Sequence, residues 1–121
     1  MEKEKYLRKI DLLVAENKCN EAIITAIDGY KQYKDDCFLD KTSNIYISIG
    51  NRKEAIKYLE KIYKNDSNNL SNIKKLGYNY FALGNFKKAL KYYKQVLDFE
   101  PQNSENYFNI ASMYHFLKKN K

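Results

Sequence analysis

Residues 73–101 read IKKLGYNYFALGNFKKALKYYKQVLDFEP. Positions 73, 76, 77, 80, 81 and 83 form an apolar or small-residue stripe at the 3.6-residue period of a helix, and positions 86, 89, 90, 93, 96 and 97 form a second. Gly84-Asn85 falls between them. Glycine readily takes the left-handed backbone angles that end a helix, so the segment is predicted to be two helices joined by a tight turn.

The same unit recurs along the chain. AENKCNEAI (15–23), SIGNRKEAI (48–56) and ALGNFKKAL (82–90) align, with Ala22, Ala55 and Ala89 in register at spacings of 33 and 34 residues. Leu13, Tyr46 and Tyr80 match upstream, and Ala26, Leu59 and Tyr93 match downstream. Gly50-Asn51 repeats the Gly84-Asn85 break. Gly77, Ser43, Ala55 and Ala89 are small where paired helices must approach, and a longer side chain there would overpack the contact. Asp66-Ser67-Asn68-Asn69 and Pro101-Gln102-Asn103-Ser104 carry the turn and N-cap chemistry that separates units. Helices are predicted near 3–16, 20–34, 38–49, 52–64, 70–83, 86–98 and 104–118.

Ile73-x2-Leu76-Gly77-x2-Tyr80, then Ala89-x3-Tyr93, then Pro101, resembles the tetratricopeptide repeat, with Ile in place of the usual Trp. The resemblance covers nearly the whole chain. It implies an all-α, right-handed helical solenoid of about three and a half helix-turn-helix repeats in a single domain, 1–121. The repeats run over about 3–35, 36–69 and 70–103, with a terminal helix at 104–118. The middle unit has Ser67 where Pro is usual. The first is the least regular: Lys9 and Ile10 stand where a large apolar and a small residue are expected, which predicts a rotated or shifted first helix.

Composition narrows the function. The chain is 44% hydrophobic and 31% charged, which suits a folded protein, and it has no run of about 18 apolar residues able to span a membrane. MEKEKYLRKI does not begin as a secretory signal, and a cytoplasmic location is expected. The net charge of +7 is concentrated after residue 69, and 20 of the 22 basic residues are Lys. Base reading and bidentate phosphate contacts favour Arg. Lys, Asn, Ile and Tyr make up nearly half the chain, and their A/T-rich codons account for that mixture without any partner. A selected basic surface is the alternative. Lys53, Lys57, Lys61 and Lys64 follow one helix face, and Lys87, Lys91 and Lys94 repeat it. A solvated outer face explains this stripe better than nucleic acid does. Cys19 and Cys37 form no CxxC, and a helix between them would hold them about 20 Å apart, too far for a disulfide. Both are expected as reduced thiols. With one histidine, His115, and no Gly-rich phosphate loop, neither a metal site, a cofactor nor catalysis is expected.

The resemblance implies that first helices line a concave groove that binds peptide segments of other proteins. It places Arg8, Asp11, Lys41, Asn44, Lys74, Lys75, Tyr78, Phe81, Phe108, Asn109, Ser112 and His115 on that surface. Lys41, Asn44, Lys74, Tyr78, Phe81, Phe108 and Asn109 are the expected contacts: Asn for peptide backbone, Lys for carboxylates, rings for apolar side chains. Some members of the family grip acidic chaperone tails with a Lys and Asn clamp. Lys74 and Asn109 match two of its places, but Tyr78 occupies the first Asn place and the repeat supplying the last residues is absent. From Tyr107 to Leu117, eight of eleven residues are apolar or aromatic, where a terminal helix should show water a polar face. Truncation from a longer array, dimerisation through Met113, Phe116 and Leu117, or a partner site there would each explain it. The expected function is a protein-interaction scaffold, with a self-associating structural repeat or a domain cut from a larger multidomain protein as the first alternative and a basic nucleic-acid-associated adaptor as the second.

Overall fold

The computed structural model describes residues 2–119, which fold into α1 (Lys3–Ala15), α2 (Cys19–Tyr33), α3 (Asp36–Ser48), α4 (Arg52–Asn65), α5 (Leu70–Ala82), α6 (Phe86–Phe99) and α7 (Ser104–Lys119). No strand occurs among the described residues. Every predicted helix is present, with ends displaced by at most two residues. The fold is an all-α helical repeat. The chain divides inside α4 into two compact units, Met1–Ile62 and Tyr63–Lys121.

One turn is built three times. After α3, the Gly50 amide donates to the Ile47 carbonyl (3.0 Å) and the Asn51 amide to the Tyr46 carbonyl (2.8 Å). After α5, the Gly84 amide donates to Phe81 (2.9 Å) and the Asn85 amide to Tyr80 (2.9 Å). After α1, Asn17 and Lys18 do the same toward Val14 and Leu13. This bond pair satisfies carbonyls that a helix end leaves without partners, and it requires a left-handed residue at its centre. Gly50 (φ 82°) and Gly84 (φ 80°) take that angle without a Cβ penalty, and Asn17 (φ 60°) takes it in the first unit. The next residue then caps the following helix. The side-chain oxygen of Asn51 accepts from the Glu54 amide (3.2 Å), and that of Asn85 from the Lys88 amide (3.2 Å). Lys18 makes no such bond.

In the first unit, α1 packs on α2 and α2 on α3 around Ile10, Leu13, Ala22, Ile23, Ala26, Phe38 and Ile45. The closing turn of the first helix keeps the register of the other two, while Lys9 is exposed where the equivalent Leu76 is buried. Side-chain volume is exchanged as well. In α5 and α6, the small Gly77 meets the ring of Tyr93: a Cβ on Gly77 would lie 3.0 Å from it. The equivalent residues in α1 and α2 are Ile10 and Ala26, both fully buried, so the large member has moved to the first helix. Close packing constrains the volume of the pair, not which helix supplies it.

In the second unit, α5 packs on α6 and α6 on α7. Tyr80 stacks on Tyr92 with ring centroids 5.8 Å apart, and Tyr63 meets Tyr92 edge-on at 5.3 Å. Tyr92 is almost fully buried. These contacts hold α5 and α6 in the arrangement from which the groove described next is built.

Candidate functional site

A groove of about 580 Å³ runs between α5, α6 and α7, wholly within the second unit. Lys74, Tyr78 and Phe81 on α5 form one wall, placed on one face of that helix by spacings of three and four residues. Tyr93 and Val96 on α6 form the floor. Phe108, Asn109, Ser112, Met113 and Phe116 on α7 form the opposite wall, and Asn103, Glu105 and Asn106 close one end.

Five expected contacts converge here: Lys74, Tyr78, Phe81, Phe108 and Asn109. Phe108 is 71% exposed and Tyr78 is 54% exposed, so both rings are open to a ligand. Phe81 is held more firmly, with Tyr78, Phe86 and Phe116 around it at centroid distances of 6.5, 6.1 and 5.8 Å. Lys41 and Asn44 lie on α3 in the first unit and line no part of this groove. The Lys41 ammonium pairs with Asp11 at 2.7 Å, and the Asn44 amide donates to Asp40 at 3.5 Å.

Sequence alone did not single out Tyr93, Val96, Asn103, Glu105 or Asn106 as lining residues. The first two belong to the stripe that packs α6, where core and groove floor carry the same apolar signal. Met113 and Phe116 require a correction. Both were expected on an outward patch for self-association, yet Met113 is 3% exposed and Phe116 is half-buried. The Phe116 ring stacks on Phe86 at 4.9 Å. Leu117 is half-buried as well. The well-exposed rings of α7 are instead Tyr107, Phe108 and Tyr114, because α7 turns its 106–113–116 side toward α6 and the groove.

Electrostatics favour an apolar ligand over an acidic one. The Lys74 ammonium lies 3.0 Å from a carboxylate oxygen of Glu100, and this contact holds the Glu100 carboxyl below the usual range. The amide of the buried Asn106 donates to the Glu100 backbone carbonyl at 2.9 Å, fixing the end of the groove. Glu105 adds a further negative charge to the lining. Among the described residues, the one cation of the lining is thus already paired, and aromatic rings with neutral amides make up most of the remainder.

Four lysines of the stripe, Lys57, Lys61, Lys91 and Lys94, are engaged with rings or a carboxylate. The Lys61 ammonium lies 4.8 Å from the Tyr30 ring centre, Lys91 lies 5.2 Å from Tyr92, and Lys94 lies 5.3 Å from Tyr114. Lys57 pairs with Glu54 at 2.6 Å. Among the described residues, no three His, Cys, Asp or Glu side chains gather to hold a metal, and no helix is long and apolar enough to cross a membrane.

Tetratricopeptide-repeat family models match residues 43–69 and 73–103. The chain is a tetratricopeptide-repeat protein. No curated protein matches the sequence. Similar solved structures include MamA from Desulfovibrio magneticus RS-1, 15% identical with a TM-score of 0.82 over 97% of this chain and 67% of that one. A tetratricopeptide repeat protein from Parabacteroides merdae is 18% identical, with a TM-score of 0.83 over 96% of this chain and 47% of its own. The first repeat domain of Spaghetti (RPAP3), bound to the HSP90 peptide SRMEEVD, is 20% identical with a TM-score of 0.76 over 98% and 97% of the two chains. This tetratricopeptide-repeat chain therefore spans about two thirds of the MamA structure and about half of the Parabacteroides protein. At these identities the likeness establishes a shared helical-repeat solenoid fold.

Proposed function

We propose that this protein is an interaction module that seats a peptide segment of another protein in the groove between α5, α6 and α7. The observation that carries the proposal is the convergence of Tyr78, Phe81, Phe108 and Asn109 on one cavity with an apolar floor and amides along its sides. Rings and Met113 suit an apolar side chain of the peptide, while Asn109, Asn103 and Ser112 can bond its backbone. A groove set by packed helices also lowers the ordering cost of docking.

Repeat domains of similar fold hold an HSP90 peptide in one structure and the HSP70 peptide SGPTIEEVD in another, which supports a peptide as the ligand class. The acidic ends of those peptides suit this groove less well, because Lys74 is paired with Glu100. The preferred ligand is a peptide with an aromatic or aliphatic anchor and no requirement for a carboxylate. Free thiols at Cys19 and Cys37 favour a reducing compartment such as the cytoplasm.

Selection from a displayed peptide library tests this directly. Enriched peptides should carry an apolar anchor and lose at least about tenfold in affinity, about 1.4 kcal/mol, on Tyr78→Ala or Phe108→Ala. Enriched peptides unaffected by either substitution would remove the groove as the binding site. SRMEEVD itself should bind weakly, and low-micromolar affinity for it would overturn the preference for an apolar anchor.

A further inference from the structure

The two ends of the groove carry different chemistry. Glu105, in the first turn of α7, is exposed and lines the end closed by Asn103 and Asn106. Met113 and Phe116 line the other end, about two to three turns further along the helix, where Phe116 meets Phe81 at 5.8 Å. Among the described residues, Lys74 and Glu105 are the charged side chains of the lining. Lys74 is balanced by Glu100, whereas the Glu105 carboxylate is in no ion pair among those residues. Burial first, then Tyr78 and Glu105, push the Tyr93 phenol upward, so the Glu105 charge acts on the groove floor. One ammonium thus stands against two carboxylates at this end, opposite in sign to the chain's net charge of +7.

Glu105 also has a ring beside it. Phe108 follows three residues later, one turn along the same face of α7, and its ring is largely open to solvent. A carboxylate next to an exposed aromatic face suits a cation: the oxygens accept its N–H groups, and the ring attracts its charge. Arg suits the pair better than Lys, because its planar fork can bond the carboxylate twice and stack on the ring. A peptide carboxylate placed there would meet Glu105 and the negative face of Phe108.

Taking the groove described above as the peptide site, we infer that the bound segment carries a basic residue, Arg in preference to Lys, which pairs with Glu105 over the Phe108 ring while an apolar anchor sits among Phe81, Met113 and Phe116. Glu105 and Met113 are eight residues apart, about 12 Å along α7, a distance that an extended peptide covers in about four residues. The basic residue should therefore stand about three to five residues from the anchor.

The full chain, immobilised, is used to select from a displayed random peptide library, in parallel with Glu105→Gln, Glu105→Lys and Tyr78→Ala. Bulk charge alone would select acidic peptides, because a chain of +7 attracts them from every side, so the sign of the enriched charge separates the two causes. Wild type should enrich Arg and Lys at least about threefold at the stated spacing. Glu105→Gln should abolish that enrichment while keeping the apolar anchor, and Glu105→Lys should enrich Asp and Glu there instead. For one selected peptide, exchanging its Arg for the uncharged, near-isosteric citrulline should weaken binding to wild type about fivefold and to Glu105→Gln by less than about twofold. Helical circular dichroism of both Glu105 variants should match wild type, because the side chain is exposed and Asn103 caps the Glu105 amide, not its carboxylate. Anchored peptides lost on Tyr78→Ala but carrying no basic residue would overturn this inference and leave the groove standing. Basic peptides selected equally by wild type and Glu105→Gln would overturn it too. Selected peptides indifferent to Tyr78→Ala would remove the groove itself, and the inference with it.

Discussion

Gly29 and Gly77 both face an aromatic ring, but the space around them differs. A Cβ on Gly29 would lie 2.4 Å from the Phe38 ring, whereas one on Gly77 would lie 3.0 Å from Tyr93. Phe38 is fully buried between Tyr6 and Tyr33, so it has nowhere to move. Overpacking of about 1–3 kcal/mol should exceed the gain of up to about 1 kcal/mol from replacing a helical glycine. Gly29→Ala should therefore lower the urea midpoint, while Gly77→Ala should shift stability by less than about 0.5 kcal/mol. Asp35 makes a different prediction. Its carboxylate caps α3 by accepting from the Cys37 amide and pairs with Lys3, and these contacts, the Lys3 pairing foremost, hold its carboxyl at about 2 instead of 3.8. The folded state binds this proton less readily than the unfolded state does. Its contribution is therefore present above about pH 4 and lost as pH falls toward about 2. Asp35→Asn should flatten acid unfolding in that window, modestly, because the side chain is 36% exposed. Burial, reinforced by Asp35, pushes the Cys37 thiol up to about 11, which keeps it protonated and slow to alkylate at neutral pH.

Among the elements, α2 begins without a side-chain cap, as α1 does. Asn51 and Asn85 cap α4 and α6, whereas Lys18 stands in the equivalent place with similar backbone angles and no side-chain cap. Lys18→Asn should stabilise the first unit by about 1 kcal/mol, visible as a higher thermal midpoint. An unchanged midpoint would mean that the opening turn of α2 does not limit unfolding. Helix positions were legible in the sequence because turns and caps are local chemistry: left-handed Gly50 and Gly84, and the following asparagines, act within a few residues of themselves. The orientation of α7 was not legible. Apolar residues surround that helix, so periodicity identified no single inward face, and Met113 and Phe116 could be located only once α6 was in place.

For the molecule as a whole, charge and groove predict opposite salt behaviour. The net charge of +7 comes mostly from the second half of the chain and would attract any polyanion without discrimination. Retention of the protein on DNA should therefore fall steeply between about 50 and 300 mM salt. Peptide capture in the groove should change by less than about twofold over the same range, since its lining is largely rings and amides and its lysine is already paired. Equal loss of both activities would indicate that bulk charge, and not the cavity, holds the peptide.

The repeat register, the three helix-ending turns and the grouping of Lys74, Tyr78 and Phe81 on one helix face follow from the sequence alone, because each depends on spacing or on the conformational preference of a single residue type. Tertiary structure decided what depends on pairs. It showed that Ile10 with Ala26 replaces the small-with-large arrangement of Gly77 with Tyr93, since packing constrains a summed volume. It also brought Phe108 and Asn109 to the wall opposite Tyr78, and it left Tyr107 and Tyr114 in water, because periodicity states which residues share a face but not what that face meets.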